Sequence, residues 1–406
     1  MKRIVIIGGG AAGMIAAIAA ADNGNEVFLI EKNEKLGKKI YITGKGRCNL
    51  TNYCDINEFI QNVVRNNKFI FASLNCLSPY DTYSFFENCG LKLKVERGNR
   101  VFPESDKASD STKFLEKKII EKNVKIRLNE VVKSLNISDG KICSVVTDID
   151  KIFCDSVVVC TGGISYSSTG STGDGYGFAK KIGHTIVDLV PSLVGIELKG
   201  GDYAELQGLS LKNVKIFCDV CGKRVFDDFG ELLFTHYGVS GPIVLSCSSI
   251  INRLDLNGAT LSIDLKPALD YKTLDNRLIR ELSANNKKGI TNVIKELVPK
   301  SLIGLILSKA GIRVDKKCCE ITKAERQKII YILKCLSFEI KKLRPIEEAI
   351  VTSGGVKVSE INPKTLESKL VKGIFFAGEV LDVDAFTGGF NLQVAFSTGY
   401  LAGKNA

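Results

Sequence analysis

"KRIVIIGGGAAGMIAAIAAADNGNEVFLIEKN" spans residues 2–33. It reads as strand, glycine turn, helix and strand. Lys2 to Ile7 is a short β-branched run, Ala11 to Asp22 is alanine-rich and helix-forming, Gly24 stops the helix, and Glu26 to Ile30 is the next strand. The crossover of such a unit is expected to be right-handed. Inside it, Gly8-Gly9-Gly10-Ala11-Ala12-Gly13 satisfies G-x-G-x-x-G, and Glu31 closes the second strand 18 residues after Gly13. Strand before, helix after and an acid at the next strand end are the context of a dinucleotide site. Gly8 permits the tight turn, Gly10 lets a diphosphate approach the backbone, and Gly13 lets helix and sheet pack closely. The helix N-terminus offers N–H groups and partial positive charge to the diphosphate, and Glu31 can accept from an adenosine ribose.

The C-terminal stretch "GIFFAGEVLDVDAFTGGFNLQVAFSTG" separates a flavin from a nicotinamide. It places Glu379 at a strand end and Gly388-Gly389 before a helix starting near Asn391. A flavin needs its ribityl hydroxyls held and its N1/O2 edge stabilised when reduction makes it anionic, and an acid with a helix N-terminus meets both needs. A nicotinamide alone has no use for this second, distant element.

Both chain ends therefore belong to one nucleotide domain, and the middle is inserted. The expected fold is α/β: a Rossmann-like FAD-binding domain in two segments, 1–190 and 344–406, with an inserted β-rich domain at 191–270 and 338–343 and a helical subdomain at 271–337. "SPYD" at Ser78–Asp81 and Thr322-Lys-Ala-Glu325 are capping boxes that start helices. Leu274, Leu278 and Leu282 share one helix face.

Composition bounds the function. Lys+Arg 56 against Asp+Glu 45 gives a net charge of +11, with the lysines scattered and no arginine-rich block. The helical segment is lysine-rich, but no aromatic interleaving or recognition motif accompanies it, so no nucleic-acid partner is expected. No apolar stretch reaches the length of a membrane span, so no membrane partner is expected. Thirteen unpatterned cysteines behind an opening strand, with no export signal, point to a reducing cytoplasm. The partner is a small-molecule substrate; oligomeric state is not readable.

The assembled motifs resemble one family. "GGGAAG", "GKKIYITGKGRCNLTN", "RVFPES", "TGSTGDGYGFAKKIGH", "GELLFTHYGVSGP", "AIVTSGGV" and the C-terminal stretch together are similar to the bacterial flavoprotein oxidoreductases of the BaiN type. Their best described activity is reduction of carbon–carbon double bonds in 3-oxo bile-acid intermediates. More distantly the chain resembles the fumarate-reductase group. The resemblance implies FAD held at its diphosphate by Gly8, Gly10, Ala11, Ala12 and Gly13, and near its adenosine by Glu31, Lys32 and the backbone of Val132. It implies further contacts from Lys39, Gly44, Arg47, Cys48, Asn49, Thr161, Gly162, Gly378, Glu379, Gly389, Phe390, Asn391 and Leu392. Many related flavoproteins carry Asp where Glu379 stands, so the acceptor here is longer. The implied reaction is reduction of an enone-like double bond by hydride transfer from flavin N5, with NAD(P)H as donor. The alternatives are a flavin disulfide reductase or oxidase, and a flavin-binding protein without turnover.

Several segments have rival readings. "ITGKGRCNLTN", residues 42–52, lacks the P-loop pattern G-x-x-x-x-G-K-[ST]. Flavin disulfide reductases place a C-x4-C pair here, whereas Cys48 and Cys54 are separated by five residues, and no second G-x-G-x-x-G follows. The family reading makes the segment a cofactor-facing loop, with Arg47 and the N–H groups of Gly44 and Gly46 toward anionic oxygens or the flavin and Asn49 bracing the loop. His236, in "LFTHYGVSGP", is the catalytic candidate: it or Tyr237 contacts substrate or relays a proton, or is only a hydrogen-bonding loop residue. His184, at a helix end, reads as structural. Cys218-Asp-Val-Cys221 lacks the second pair a zinc site needs. Arg344 holds an acidic substrate group or makes a domain-junction ion pair.

Overall fold

The apolar run Arg3–Ile7 is the middle strand of a five-stranded parallel sheet in a computed structural model that describes all 406 residues. The order across the sheet is Ile374–Phe376, Ser156–Val159, Arg3–Ile7, Glu26–Glu31 and Lys125–Leu128. Each neighbouring pair runs parallel. Strands covered on both faces read as unbroken apolar runs, and Ile4, Val5, Ile6, Val157, Val158 and Val159 are all buried.

The Ala11–Asp22 helix is alanine-rich because it is surrounded. Every residue from Ala12 to Ala20 is buried, and the helix lies against the C-terminal helix Phe390–Asn405. Gly399 and Gly403 of that helix face it: a Cβ at these positions would stand 2.3 Å from the Ala12 oxygen and 2.2 Å from the Ala16 oxygen. Small residues on both sides let the two backbones approach.

The chain forms two compact units, Met1–Ser192 with Pro345–Ala406, and Leu193–Arg344. The first adds three smaller antiparallel sheets to the parallel one. Val132–Ser138, Lys141–Thr147 and Lys151–Phe153 form one; Thr51–Asn52, Arg100–Pro103 and Leu93–Glu96 form another; Ile186–Ser192 pairs with Val351–Val356. The Ser78 capping box is present, with Pro79 opening the helix Pro79–Asn88 and Asp81 reciprocating.

In the second unit six antiparallel strands close into a barrel, in the order Ile196–Leu198, Gly238–Ser240, Lys223–Thr235, Ser210–Val220, Thr260–Asp264 and Leu336–Leu343. Closure leaves no open sheet edge. The helices Tyr271–Ala284, Lys300–Ala310 and Lys323–Lys334 share one apolar core with the barrel, in which Ile216, Leu261 and Ile263 meet Leu274, Leu278, Ile306 and Ile329. The Thr322–Glu325 capping box starts the last of these helices. No helix is long and apolar enough to cross a membrane.

Candidate functional site

The glycine turn has three distinct steric environments. Gly8 sits at φ +101°, and a Cβ there would lie 2.6 Å from the Cys160 oxygen. A Cβ on Gly13 would lie 1.9 Å from the Gly8 oxygen, so any side chain breaks the turn. Gly10 is different: a Cβ there meets no atom within 4 Å. Gly10 is also the N-cap of the Ala11–Asp22 helix, with no side-chain cap and no acid in the first turn. Open space before uncapped N–H groups is a fit for an anion. Two turn glycines are thus required by the protein's own packing, and the third keeps an approach clear.

Glu31 is positioned on the edge of this turn. Its Oε2 accepts from the Gly9 N–H at 2.7 Å, and its Oε1 accepts from the Asn33 backbone N–H at 2.9 Å and the Asn33 amide at 2.6 Å. Lys32 donates to Asp174 at 2.6 Å and to Thr172, which ties the strand end to the "TGDG" segment. The segment leading to Val132 passes beside Glu31, since the Glu130 N–H donates to the Glu31 oxygen at 3.2 Å. Val132 is buried and pairs with Thr147.

In the C-terminal segment of the same unit, the Glu379 carboxylate accepts from three donors. Lys39 Nζ donates to Oε2 at 2.7 Å, while Ser165 Oγ and the Thr352 N–H donate to Oε1, each at 2.9 Å. Lys39 also donates to Ser165 Oγ at 2.7 Å. Burial pushes the Glu379 carboxyl up, but the Lys39 charge and these hydrogen bonds outweigh it and hold it below its usual value. Glu379 is therefore an anion at neutral pH. Gly378, at φ +77°, stands against Ala12: its Cβ would lie 2.8 Å from the Ala12 Cβ. Glycine at 378 so brings Glu379 beside the dinucleotide turn. Gly389, at φ +100°, lies over Thr51, where a Cβ would come 2.4 Å from the Thr51 oxygen.

Two orphaned polar atoms bear on what the site holds. Thr161 Oγ1, which faces Gly175 while the Thr161 Cα borders Gly8, and Asn49 Oδ1 are both buried with no hydrogen-bond partner. A buried unpaired polar group costs about 1–3 kcal/mol. Such atoms, with the clear approach at Gly10, fit a bound polar group such as FAD.

The HI0933-like protein Rossmann domain model matches residues 2–405. The chain belongs to the HI0933-like family. It is 34% identical to the 3-dehydro-bile acid delta(4,6)-reductase of Clostridium scindens, over 100% of this chain and 99% of that protein. It is 29% identical to the ribosomal RNA dihydrouridine synthase of Escherichia coli K12, over 99% of this chain and 97% of that protein. Among solved structures, the 3-ketosteroid-delta4-(5alpha)-dehydrogenase of Rhodococcus jostii RHA1 is similar at a TM-score of 0.53 and 13% identity, covering 100% of this chain and 96% of that one. An open flavocytochrome c3 fumarate reductase also reaches 0.53, at 18% identity, covering 100% and 78%. At these identities the two structures speak for the fold alone, and they support the Rossmann-like α/β assignment.

In this HI0933-like chain, the 42–52 loop departs from its expected role at Arg47. The guanidinium is taken by protein carboxylates: Nε donates to Asp106 at 2.7 Å, Nη1 donates to Glu96 at 3.3 Å with Nη2 also on Glu96, and the group stacks 4.1 Å from the Phe102 ring centre. Glu96 and Asp106 hold its pKa above the usual value. Arg47 anchors the loop to the Leu93–Pro103 hairpin, and a Cβ on Gly44 would press on the Asn49 N–H. Cys48 and Cys54 are buried, and burial pushes their thiols up to about 11 and about 12. Neither is a thiolate at neutral pH, which argues against a redox pair.

Asn391 holds the preceding loop, accepting from the Ala385 N–H at 2.9 Å and donating to the Ala385 oxygen at 2.7 Å. Phe390 is buried edge-on to Phe59, and Leu392 packs on the core. Gly162, at φ +74°, lies close to Ser171. His184 is buried between Glu360 (3.1 Å) and Ser368 (2.8 Å). His236 lies in the other unit, exposed at the turn between Lys223–Thr235 and Gly238–Ser240, with its ring 5.0 Å from Tyr237. Arg344 donates to Glu197 at 2.7 Å and stacks 4.6 Å from the Tyr237 ring, an ion pair within its own unit. Sequence reasoning passed over Ser165 and Thr352. "AIVTSGGV" carried the second, but its partner stands 27 residues away.

Proposed function

We propose that this chain is an FAD-dependent reductase of carbon–carbon double bonds conjugated with a carbonyl, with NAD(P)H as donor and a small 3-oxo steroid-like enone as substrate. The observation that carries this reading is the full-length identity of 34% to a delta(4,6)-reductase of a 3-dehydro-bile acid. The second group of relatives supports the same reaction class. Dihydrouridine is uridine saturated across C5–C6, a bond conjugated with the C4 carbonyl.

Gly8, Gly10, Ala11, Ala12 and Gly13 are proposed at the FAD diphosphate, Glu31, Lys32 and Val132 at the adenosine, and Thr161, Gly162, Gly378, Glu379 and Gly389 toward the flavin. When bound, FAD supplies two-electron chemistry between donor and substrate. The chain's part is positional and electrostatic. Glu379, kept anionic by Lys39, accepts hydrogen bonds from hydroxyl groups of the cofactor. Lys39 would place a positive charge beside that acceptor, where it would favour negative charge on the cofactor. Thr161 and Asn49 satisfy their orphaned oxygens on the same group. His236 is proposed to contact substrate or to supply a proton to one of its two carbons.

An anaerobic assay tests the reading. The protein loaded with FAD is mixed with NADH or NADPH, then with 3-oxo-Δ4 steroids or small enones. Bleaching near ~450 nm, with recolouring on enone addition, is expected of a bound flavin in turnover. Failure to bind FAD overturns the cofactor assignment, and bleaching without enone reduction overturns the substrate class. Unchanged turnover in His236→Ala removes His236 from the reaction.

A further inference from the structure

The parallel sheet of the first unit has a second end. The dinucleotide turn follows the C-terminal end of Arg3–Ile7. At the opposite end, where Arg3–Ile7, Glu26–Glu31 and Ser156–Val159 begin, lies an open cavity of about 570 Å³. Lys2, Arg3 and Lys141 line it with the exposed ring of Phe153, and two thiols, Cys143 and Cys154, form part of its wall. The proposed reduction makes no use of this place.

Strand pairing sets the two thiols opposite one another. In the hairpin of Lys141–Thr147 and Lys151–Phe153, Ser144 pairs with Phe153 and Val145 with Ile152. The next step of that register is Cys143 with Cys154. The hydrogen bonds agree. The Thr147 N–H donates to the Asp150 oxygen at 2.9 Å beside the turn, and the Cys154 N–H donates to the Cys143 oxygen at 3.1 Å at the open end. Residues opposed in such a hydrogen-bonded pair have Cα atoms about 5.5 Å apart and side chains on one face. A disulfide spans Cα separations of about 4.4–6.8 Å. On its other side Cys143 is the extra residue of a bulge, since Asn136 pairs with Ser144 and Ile137 with Ile142. The half-buried Cys143 thiol donates to the Asn136 oxygen at 3.1 Å.

The two cysteines differ in access. Cys154 is buried, and burial pushes its thiol up to about 12, with Asp155 and Cys143 adding to the rise. Cys143 is therefore the thiol that meets a reagent first. A metal is the poorer occupant, because no group of three or more ligating side chains is gathered anywhere in the chain. Cys218 and Cys247 also lie together, but both are closed inside the second unit's core, where no reagent reaches them.

We propose that Cys143 and Cys154 are a redox-responsive pair, which closes to a disulfide when a small oxidised thiol, itself a disulfide, enters this cavity. The Cys143 sulfur attacks one sulfur of the small disulfide and expels one thiolate, leaving a mixed disulfide. The Cys154 sulfur then attacks Cys143 and expels the second thiolate. The two thiol protons of the protein pass to the two expelled thiolates. The cysteine pair loses two electrons, and the small disulfide gains them. Lys2, Arg3 and Lys141 favour an anionic reagent such as glutathione disulfide. Facing Cβ atoms in a strand pair stand about 4.5–5.5 Å apart, whereas bridged cysteines hold theirs at about 3.8 Å. Closing the bridge strains the hairpin end, so the bridge is labile and easily reduced. The site is a switch rather than a structural staple.

The test uses the full-length, FAD-loaded protein, held in mixtures of glutathione and glutathione disulfide, quenched in acid, cut with trypsin and weighed without reduction. Cleavage after Lys141, Lys151 and Lys180 puts Cys143 in residues 142–151 and Cys154 in residues 152–180. The two peptides should be joined, with loss of two hydrogens, at equal concentrations of the two reagents, and freed by about a 100-fold excess of glutathione. Cys154→Ser should abolish the link and leave glutathione on Cys143; this also excludes Cys160, which shares the second peptide. Cys143→Ser should show no link. Flavin content and thermal stability of both variants should match wild type. No link in the wild-type protein overturns the proposal, as does a link that persists in either variant. So does glutathione found on the exposed Cys89, Cys221 and Cys319 while Cys143 and Cys154 stay reduced. No step passes through the flavin, so the result stands apart from the reductase reading.

Discussion

Lys39 and Glu379 are 340 residues apart in the chain and 2.7 Å apart in the fold. The pair joins the short helix after the second strand to the strand end that precedes the C-terminal helix. Replacing Lys39 with Met leaves a largely buried carboxylate without its counter-charge. We expect a loss on the order of 2 kcal/mol, discounted from the value for a fully buried pair because both side chains retain some exposure. Glu379 then titrates higher, so FAD affinity in Lys39→Met should fall as pH drops toward 5, while wild type stays flat. Denaturant unfolding and flavin titration at pH 5 to 8 measure both.

Gly10 and Gly13 separate folding from cofactor binding. Gly10→Ala adds a carbon where no protein atom stands within 4 Å, so stability should change by less than about 1 kcal/mol. FAD affinity should drop at least about tenfold, because the new methyl occupies the approach to the helix N-terminus. Gly13→Ala drives a carbon into the Gly8 oxygen and should cost about 3 kcal/mol or more. Wild-type FAD affinity in Gly10→Ala would remove the diphosphate from that turn.

The thiols give a third expectation. With Cys48 at about 11 and Cys54 at about 12, roughly one Cys48 side chain in a thousand is a thiolate at pH 8. A thiol reagent should label the exposed Cys89, Cys221 and Cys319 quickly and reach these two only on unfolding. Enone turnover should survive Cys48→Ala. Loss of turnover with intact flavin content would return the disulfide mechanism.

What the sequence makes readable here is local. The roles of Gly8 and Gly13 follow from contacts within a few residues or with the adjacent strand, so spacing alone carries them. The parallel strands announce themselves because both of their faces are covered. Arg47 shows the opposite case. Its partners Glu96 and Asp106 lie 49 and 59 residues on, and nothing in "GKGRCN" says that protein carboxylates, rather than a cofactor, will claim the guanidinium. Barrel closure is hidden for the same reason. Ile196 pairs with Leu343, and alternation within a strand does not name a distant partner.

Asp384 makes stability depend on pH. It is fully buried, with Ser192 and Ser353 donating to it at 2.7 and 3.0 Å, and Arg65 nearby engaged on Asp382 at 2.9 Å. Burial raises its pKa from 3.8 to about 6; the two serines and Arg65 pull the other way, and Asp382 adds to the rise. A carboxyl whose folded pKa lies above its unfolded one stabilises the fold in its protonated form. That contribution is fully present below about pH 3.8 and is lost as pH rises through about 6. The interval corresponds to about 3 kcal/mol. Asp384→Asn keeps the shape without the titration, so the difference in unfolding free energy between variant and wild type should grow in the variant's favour from pH 4.5 to 7 and level off above. His184 titrates in both proteins and cancels in this difference. Thermal or urea unfolding of the pair across that range measures it, and a difference that stays constant with pH would mean that Asp384 is already ionised throughout.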